Sequence, residues 1–258
     1  MNDDFDYQEQ LRSESSEATA AAAGPRVNDN FLGRLVDLVV KPSRLMDNVG
    51  ASPRWWQAGL LVFVVIAAFS WLTMPISGPE QMEMMRDSRF SQLMPEGEWE
   101  NAYADAMDPS PVKRLTQSLG AGLSTWVMVM VVSLVLGFFA KMSGGQGVMK
   151  QSLGIVHWGS IIPFVIMVIV KLPLVLYLES VLSVNVGLAA LLGDADPASP
   201  LYHILVTYGD FSNWWGLIVL IIGYRTVYRM GTSTAALAVL LPWALLAAIP
   251  LGITLLVM

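Results

Sequence analysis

Residues 119–140 read LGAGLSTWVMVMVVSLVLGFFA, a run of 22 residues without a charged side chain. A helix needs about 20 predominantly apolar residues to cross the hydrocarbon core of a bilayer, so this run predicts a transmembrane helix. Four further apolar runs reach or approach that length, and they cover residues 58–76, 152–178, 214–228 and 234–258. The sequence therefore predicts an all-α polytopic membrane protein, with residues 58–258 forming a bundle of five transmembrane helices.

The composition of the whole chain is typical of the membrane class. Of its 258 residues, 54% are apolar and only 14% are charged, against about 25% charged residues in ordinary soluble domains. The expected partner is the lipid bilayer, and self-association is left open. The formal net charge of −6 argues against a nucleic-acid partner. The absence of cysteine excludes disulfides and thiolate metal sites.

Lysine and arginine are distributed unevenly between the two sides that five crossings define. One side carries ten of them, namely Arg12, Arg26, Arg34, Lys41, Arg44, Arg54, Lys141, Lys150, Arg225 and Arg229. The other side carries four, namely Arg86, Arg89, Lys113 and Arg114. Because cytoplasmic loops carry the excess of basic residues, the pattern predicts a cytoplasmic N-terminus and an extracytoplasmic C-terminus.

Two segments precede the first predicted span. Residues 1–30 are acidic and rich in Ser, Glu and Ala, which predicts a disordered cytoplasmic tail rather than a signal peptide. Residues 31–57 predict a cytoplasmic amphipathic segment in the membrane interface, with Phe31, Leu35 and Leu38 on its apolar face. The alternative is that this segment packs against the inner mouth of the bundle.

Five further side chains are candidate membrane-interface anchors. Trp55 and Trp56 precede the first span, and Trp214 and Trp215 begin the fourth. Tryptophan is enriched where the bilayer meets water. Lys171 lies near the outer end of the third span, where a lysine can extend its ammonium to water.

Local signals predict how the spans begin and what lies outside them. Ser52-Pro53 and Ser110-Pro111 each predict an N-cap serine followed by a first-turn proline. In the outer loop, the methionine-rich residues 82–94 and the Trp99, Tyr103, Met107 series each predict a short extracytoplasmic helix. Residues 181–192 are too short to span and predict a surface or re-entrant helix.

The chain offers little chemistry, so no catalytic, cofactor-binding or metal-binding residue is predicted. Zinc needs three or four ligands, yet His157 and His203 are the only histidines. A Ser124–His157 dyad fails because the two residues lie at different depths in the membrane. The thioethers of residues 82–94 suit Cu(I) but are more simply explained by packing.

His157 is the candidate functional residue within a span. Ionisable groups inside a bilayer are costly and indicate a function by default. The alternative is that the ring hydrogen-bonds a neighbouring helix or extends to the interface.

Three segments resemble the Yip (Ypt-interacting protein) family in its bacterial form. They are residues 35–56, LVDLVVKPSRLMDNVGASPRWW, residues 144–163, GGQGVMKQSLGIVHWGSIIP, and residues 214–236. The resemblance implies five spans, a cytoplasmic N-terminus, residence in a bacterial plasma (inner) membrane and a non-enzymatic organising role. It implies no specific partner, because the acidic cytoplasmic motif of the eukaryotic members is not evident in the tail.

Two function hypotheses follow. The first is a membrane-organising scaffold that recruits a cytoplasmic protein partner through residues 1–57. The alternative is a permease or lipid-moving protein with a polar path near His157, which would require polar side chains facing a common axis.

Overall fold

The computed structural model describes residues 30–86, 95, 97–192 and 200–257. Within these ranges the chain is helical, apart from one isolated β-bridge between Gly187 and Asp210 and the connecting turns. The α-helices there are α1 Phe31–Val40, α2 Pro42–Ala51, α3 Trp55–Met85, α4 Glu98–Met107, α5 Pro111–Met142, α6 Met149–Ile161, α7 Met167–Leu178, α8 Pro200–Tyr208, α9 Phe211–Val227 and α10 Thr232–Val257. The predicted all-α class is confirmed, while the predicted tail lies almost wholly outside the described residues.

Three helical stretches are long and apolar enough to cross a membrane. They are Trp55–Met85, Pro111–Met142 and Met149–Leu178, the last of which joins α6 and α7 through a π-helical turn at Ile162–Ile166. They contain the first three predicted spans. Helices α9 and α10 follow in the predicted order, and α9 has 17 residues.

Close approach of the backbones holds the first two long helices together. α3 packs along α5, and α6 packs against both. At Gly122 of α5 an added Cβ would lie 2.7 Å from the carbonyl oxygen of Phe63 in α3. Small residues that allow such contacts are the usual device of membrane helix pairs, since lipid supplies no hydrophobic drive between helices.

The other helices surround this core. α9 packs against α2, α6 and α10, while α10 also contacts α5. The N-terminal hairpin, defined as α1 and α2 (residues 31–51), therefore lies at the end of the bundle where α6 begins and α9 finishes. The side chains of Trp158 in α6 and of Tyr224 in α9 are completely buried in this core.

α3 is longer than the sequence predicts. Its 31 residues extend about 46 Å, which exceeds a hydrocarbon core of about 30 Å. The helix continues through Pro75 and Pro79 to Met85. A separate short helix was predicted over residues 82–94, and this is wrong for residues 82–85, which form the last turn of α3. Residues 87–94 lie outside the described part.

Pro75 is tolerated in α3 because a side chain from another helix replaces the lost donor. Pro75 has no N–H for the carbonyl of Trp71, four residues earlier. Nε of Arg114 in α5 donates to that carbonyl at 2.7 Å, and the guanidinium lies 4.8 Å from the centroid of the Trp71 ring.

Of the short helices predicted outside the long ones, one is present and another is shorter than predicted. The predicted helix over Trp99, Tyr103 and Met107 is present as α4, and the Tyr103 hydroxyl donates to Glu83 of α3 at 3.1 Å. Residues 181–192 contain only a short 3₁₀ turn at Leu188–Leu192, so the predicted helix there is wrong in length. The helix α8 was not predicted.

The two serine–proline signals differ in outcome. Ser110 caps α5 by accepting from the backbone N–H of Lys113, as predicted. Ser52 does not cap the first span, because it ends α2 and α3 begins only at Trp55, after Arg54 in the left-handed region (φ 36°). The turn at residues 52–54 instead joins the hairpin to α3.

Candidate functional site

The turn at residues 52–54 is held by side chains from two helices. The carbonyl of Ser52 accepts a hydrogen bond of 2.9 Å from the Arg34 guanidinium in α1. The carbonyl of Pro53 accepts one of 3.2 Å from Nε1 of Trp158 in α6. An irregular turn packed against other helices needs such donors, because a buried carbonyl without one costs about 1–3 kcal/mol.

A third contact fastens the end of α2 to the beginning of α6. Nε2 of Gln151 donates to the carbonyl of Gly50 at 2.8 Å, while its Oε1 accepts from the backbone N–H of Val148 at 2.9 Å. One side chain therefore caps α6 and binds the hairpin to it. Together these contacts fix the hairpin rigidly on the bundle.

The charged residues of α1 point toward the protein. Arg34 is completely buried, and its guanidinium lies 5.7 Å from the centroid of the Trp158 ring, where a cation–π attraction operates. Asp37 is 7% exposed, and its carboxylate lies 3.7 Å from Nε of Arg44 in α2. The polar side of α1 is thus its inner side.

The apolar residues predicted to enter the membrane interface divide between two environments. Leu38 is completely buried in the core, so its assignment to a lipid-facing position is wrong. Phe31 and Leu35 are partly buried against the same core, and Phe31 lies 5.8 Å from the ring of Trp158. The exposed large apolar side chains of α1 are instead Leu32, Val36, Val39 and Val40.

His157 lies inside the bundle. Its ring is completely buried, and its Nδ1 lies 2.8 Å from the carbonyl oxygen of Leu153, one turn earlier in α6. The predicted alternatives of a bond to a neighbouring helix or extension to the interface are therefore wrong. Nε2 is buried and has no hydrogen-bond partner among the described residues.

Two tryptophans surround His157. The centroid of the Trp55 ring lies 5.4 Å from that of the imidazole. It lies 6.3 Å from the centroid of the Trp126 ring in α5, and the planes of the two stacked tryptophan rings differ by 20°. Gly59 adjoins both Nε1 of Trp126 and the imidazole, since an added Cβ there would lie 2.4 and 2.9 Å from them. Trp55 is thus half-buried in a ring cluster, whereas Trp56 is 56% exposed.

The remaining predicted anchors lie at the other end of the bundle. Trp214 and Trp215 are exposed on α9, as a membrane-facing position requires. The centroid of the Trp214 ring lies 5.9 Å from that of Trp243 in α10. Lys171 is not a free anchor, because its ammonium forms an ion pair with Asp210 at 2.5 Å. This pairing could not be predicted from the sequence, because 38 residues lie between the two.

Burial and hydrogen bonding act in opposite directions on Asp210. Burial would raise the pKa of its carboxyl, but hydrogen bonds from Lys171 and from the hydroxyl and N–H of Ser212 outweigh it, so the pKa lies below its usual value. Asp210 thereby stays ionised, caps α9 and neutralises Lys171.

The arrangement around the hairpin positions helices and has no evident reactive group. Ser124 donates to the carbonyl of Ala121 in its own helix, and in the described part of the chain no three acidic, histidine or cysteine side chains gather as a metal site would require. Arg34 and Trp158 were missed from sequence. The available signal was the spacing of Arg34 and Asp37, which places both charges on one face of an otherwise apolar helix.

Comparison with known proteins agrees with this architecture. The Yip1 domain matches residues 36–253, which include the hairpin from its second turn onward and helices α2 to α9. No curated protein and no solved structure matches the chain. The chain is therefore an integral membrane protein that belongs to the Yip1 domain family.

Proposed function

We propose that this protein is a non-enzymatic membrane scaffold. It anchors its N-terminal hairpin in the cytoplasmic leaflet and recruits a cytoplasmic protein partner through residues 1–57. It spans a bacterial plasma membrane five times, with α9 and α10 as the last two spans and the C-terminus outside.

The observation that carries the proposal is the inverted polarity of α1. Its two charged side chains, Arg34 and Asp37, are buried against the bundle, while Leu32 is 65% and Val36 is 61% exposed. A helix that faced water would bear the opposite pattern, because exposed apolar surface is unfavourable by about 25 cal/mol per Å². Immersion of the outer face of α1 in lipid removes that cost.

The second helix of the hairpin has the ordinary polarity. Arg44 and Asp47 of α2 are exposed, and its apolar residues Leu45 and Met46 are completely buried. The hairpin thus offers one apolar side to lipid and one polar side to the cytoplasm. Lys41 between the two helices adds attraction to anionic headgroups.

The five-span topology is supported by helix length and by charge. α9 of 17 residues extends about 25 Å, close to the thickness of a hydrocarbon core. The turn between α9 and α10 carries Arg229, on the side where the positive-inside rule expects basic residues. The alternative of a permease near His157 has no comparable support, since His157 lines neither of the two cavities described below.

Spin labelling tests the anchoring. The native chain has no cysteine, so Val36→Cys and Asp47→Cys each give one labelling site without further changes. In phosphatidylethanolamine–phosphatidylglycerol vesicles, we expect a nitroxide at 36 to be relaxed by oxygen, which concentrates in lipid. The matched label at 47 should be relaxed by a water-soluble nickel chelate. Equal exposure of both labels to the chelate would contradict the proposal.

Proximity labelling tests the recruitment. A labelling enzyme fused to residue 1 should mark cytoplasmic proteins that a fusion of the same enzyme to the turn at Arg229 does not mark. Removal of residues 2–29 should abolish that difference. Identical labelled sets from the two fusions would contradict a partner bound through residues 1–57.

A further inference from the structure

A proline interrupts the third long helix at its centre. Pro163 lies in the π-helical turn Ile162–Ile166, where the N–H of Met167 bonds to the carbonyl of Ile162, five residues earlier. Because Pro163 has no N–H, the regular α-helical ladder cannot continue through it. Such π-turns widen a helix locally and occur frequently at functional sites.

Two cavities adjoin this π-turn and share part of their walls. The first has a volume of about 170 Å³ and lies between α5, α6, α9 and α10. The second has a volume of about 370 Å³ and lies between α3, the π-turn, α7, residues 181–185, α8 and the start of α9. Pro163, Phe164 and Asn213 line both cavities. The two cavities are therefore neighbours on either side of these residues, and together we call them the π-turn groove.

The groove changes character along its length. Its deep part is lined almost entirely by apolar groups, among them Val156, Gly216 and Leu220. Its other end is lined by the Lys171–Asp210 ion pair and by Asn185 and Tyr202, whose side chains hydrogen-bond at 2.6 Å. The polar end lies beside the first residue of α9, at the end of the bundle opposite the N-terminal hairpin.

The length of the groove corresponds to one leaflet. Gly159 in the deep part and Lys171 at the polar end are twelve residues apart, or about 18 Å at helical rise. Half of a hydrocarbon core of about 30 Å is about 15 Å.

We propose that the π-turn groove binds one acyl chain of a phospholipid from the leaflet opposite the hairpin. The chain lies along Pro163 and Phe164, and the glycerol and phosphate lie at the level of Lys171 and Asp210. Water is a poor occupant because the deep part offers it few polar partners. A phospholipid matches both ends, since its chain is apolar and its phosphate can accept a hydrogen bond from the ammonium of Lys171, which has donors beyond the one that it gives to Asp210. This site is independent of the scaffold function proposed above.

Photo-crosslinking tests the site on the full-length protein. The protein is reconstituted in phosphatidylethanolamine–phosphatidylglycerol vesicles containing a phosphatidylethanolamine with a diazirine near the middle of one acyl chain. After illumination, we expect mass spectrometry of the digested protein to find the intact phospholipid attached mainly at groove residues such as Phe164 and Met167. Attachment spread evenly over lipid-facing residues, such as Ile169 and Ile218, would overturn the proposal.

Two variants in different helices fill the groove. At Gly216 an added Cβ meets only Pro163 Cδ at 3.7 Å and a carbonyl oxygen at 3.9 Å, so Gly216→Leu extends into the deep part without a clash at Cβ. Val168→Phe narrows the second cavity. Each should lower crosslinking in the groove about tenfold or more, the scale on which lost space changes binding in an apolar pocket.

Each variant has a matched control outside the groove. Gly120→Leu introduces the same side chain where nothing lies within 4 Å of the added Cβ, and Ile169→Phe alters the exposed neighbour of Val168. Both controls should crosslink like the wild type, and unchanged thermal unfolding would show that the filling variants fold. An equal loss in controls and filling variants would overturn the proposal. So would native mass spectrometry of the purified protein that finds a free fatty acid, or no retained lipid.

Discussion

At the scale of single residues, Gly59 occupies the tightest point of the ring cluster around His157. A methyl group at this position would lie 2.4 Å from Nε1 of Trp126 and 2.9 Å from Cδ2 of His157. Contacts this short force one of the rings to move. Because the rings of Trp126 and Trp55 are stacked, a shift of one disturbs the other.

We therefore expect Gly59→Ala to lower the free energy of unfolding by about 1–3 kcal/mol, as overpacking of a core does. This loss exceeds the roughly 0.5–1 kcal/mol by which alanine favours a helix over glycine. Thermal unfolding in detergent measures the change. Gly120→Ala is the control, because nothing lies within 4 Å of its added Cβ, and it should be neutral or stabilising. A stabilised Gly59→Ala variant would show that α3 and α5 are not held at this distance.

The sequence identified His157 because a buried ionisable group is rare in a span. It did not identify Trp126 or Gly59, since nothing in a sequence tells which residue of one span meets which residue of another. The same limit applies to Lys171, which was expected to reach water and instead pairs with Asp210. The sequence therefore indicates which residues are unusual in a span, but it does not indicate which residues of distant helices pair with one another.

At the scale of helices, the contact between α3 and α5 rests partly on a proline. Pro75 leaves the carbonyl of Trp71 without its helical donor, and Arg114 supplies one from α5. The contribution of Arg114 to the free energy of unfolding therefore depends on the presence of Pro75. In wild type, Arg114→Met should cost about 1 kcal/mol of stability, because it leaves a partly buried acceptor without its donor.

A double-mutant cycle measures this dependence. Pro75→Ala restores an N–H to α3, so Arg114→Met should cost about 1 kcal/mol less in that background than in the wild type, within the range found for contacting residues. Lys113→Met is the control, since Lys113 pairs with exposed Asp105 and should not couple to Pro75. Additive costs for Arg114 and Pro75 would mean that water or the Trp71 ring contact, rather than the hydrogen bond, decides the role of Arg114.

The hairpin shows why a helix can be predicted while its orientation is not. α1 begins at Phe31, where the predicted amphipathic segment 31–57 begins, and it ends at Val40, just before Pro42. The prediction assumed that the charged face of α1 points to water and that the face with Leu38 points to lipid. In the structure Arg34 and Asp37 face the bundle, and Leu38 lies on the same buried face. The competing donors and acceptors, such as the carbonyl of Ser52, become known only from the fold.

At the scale of the whole molecule, the arrangement of charges across the membrane links sequence to topology. Three helical stretches are long and apolar enough for the first three crossings, and Lys141 and Lys150 flank the turn between α5 and α6. The turn between α9 and α10 reaches the cytoplasmic side only if both of these helices span. Their shorter or less continuous apolar stretches leave one alternative, a re-entrant pair that enters and leaves on the outer side.

Reporter fusions distinguish these topologies. An enzyme active only outside the cytoplasm should be active after Glu100, Glu179 and Met258 and silent after Lys150 and Arg229, because basic residues keep their turns in the cytoplasm. A fluorescent protein that folds only in the cytoplasm should give the mirror pattern at the same positions and serves as the control for expression. Activity after Lys150 would reverse the orientation and turn the hairpin outward, against the proposed scaffold. Activity after Arg229, with silence retained after Lys150, would instead make α9 and α10 a re-entrant pair. One wall of the π-turn groove would then be formed by α9 and α10 without either helix crossing the bilayer.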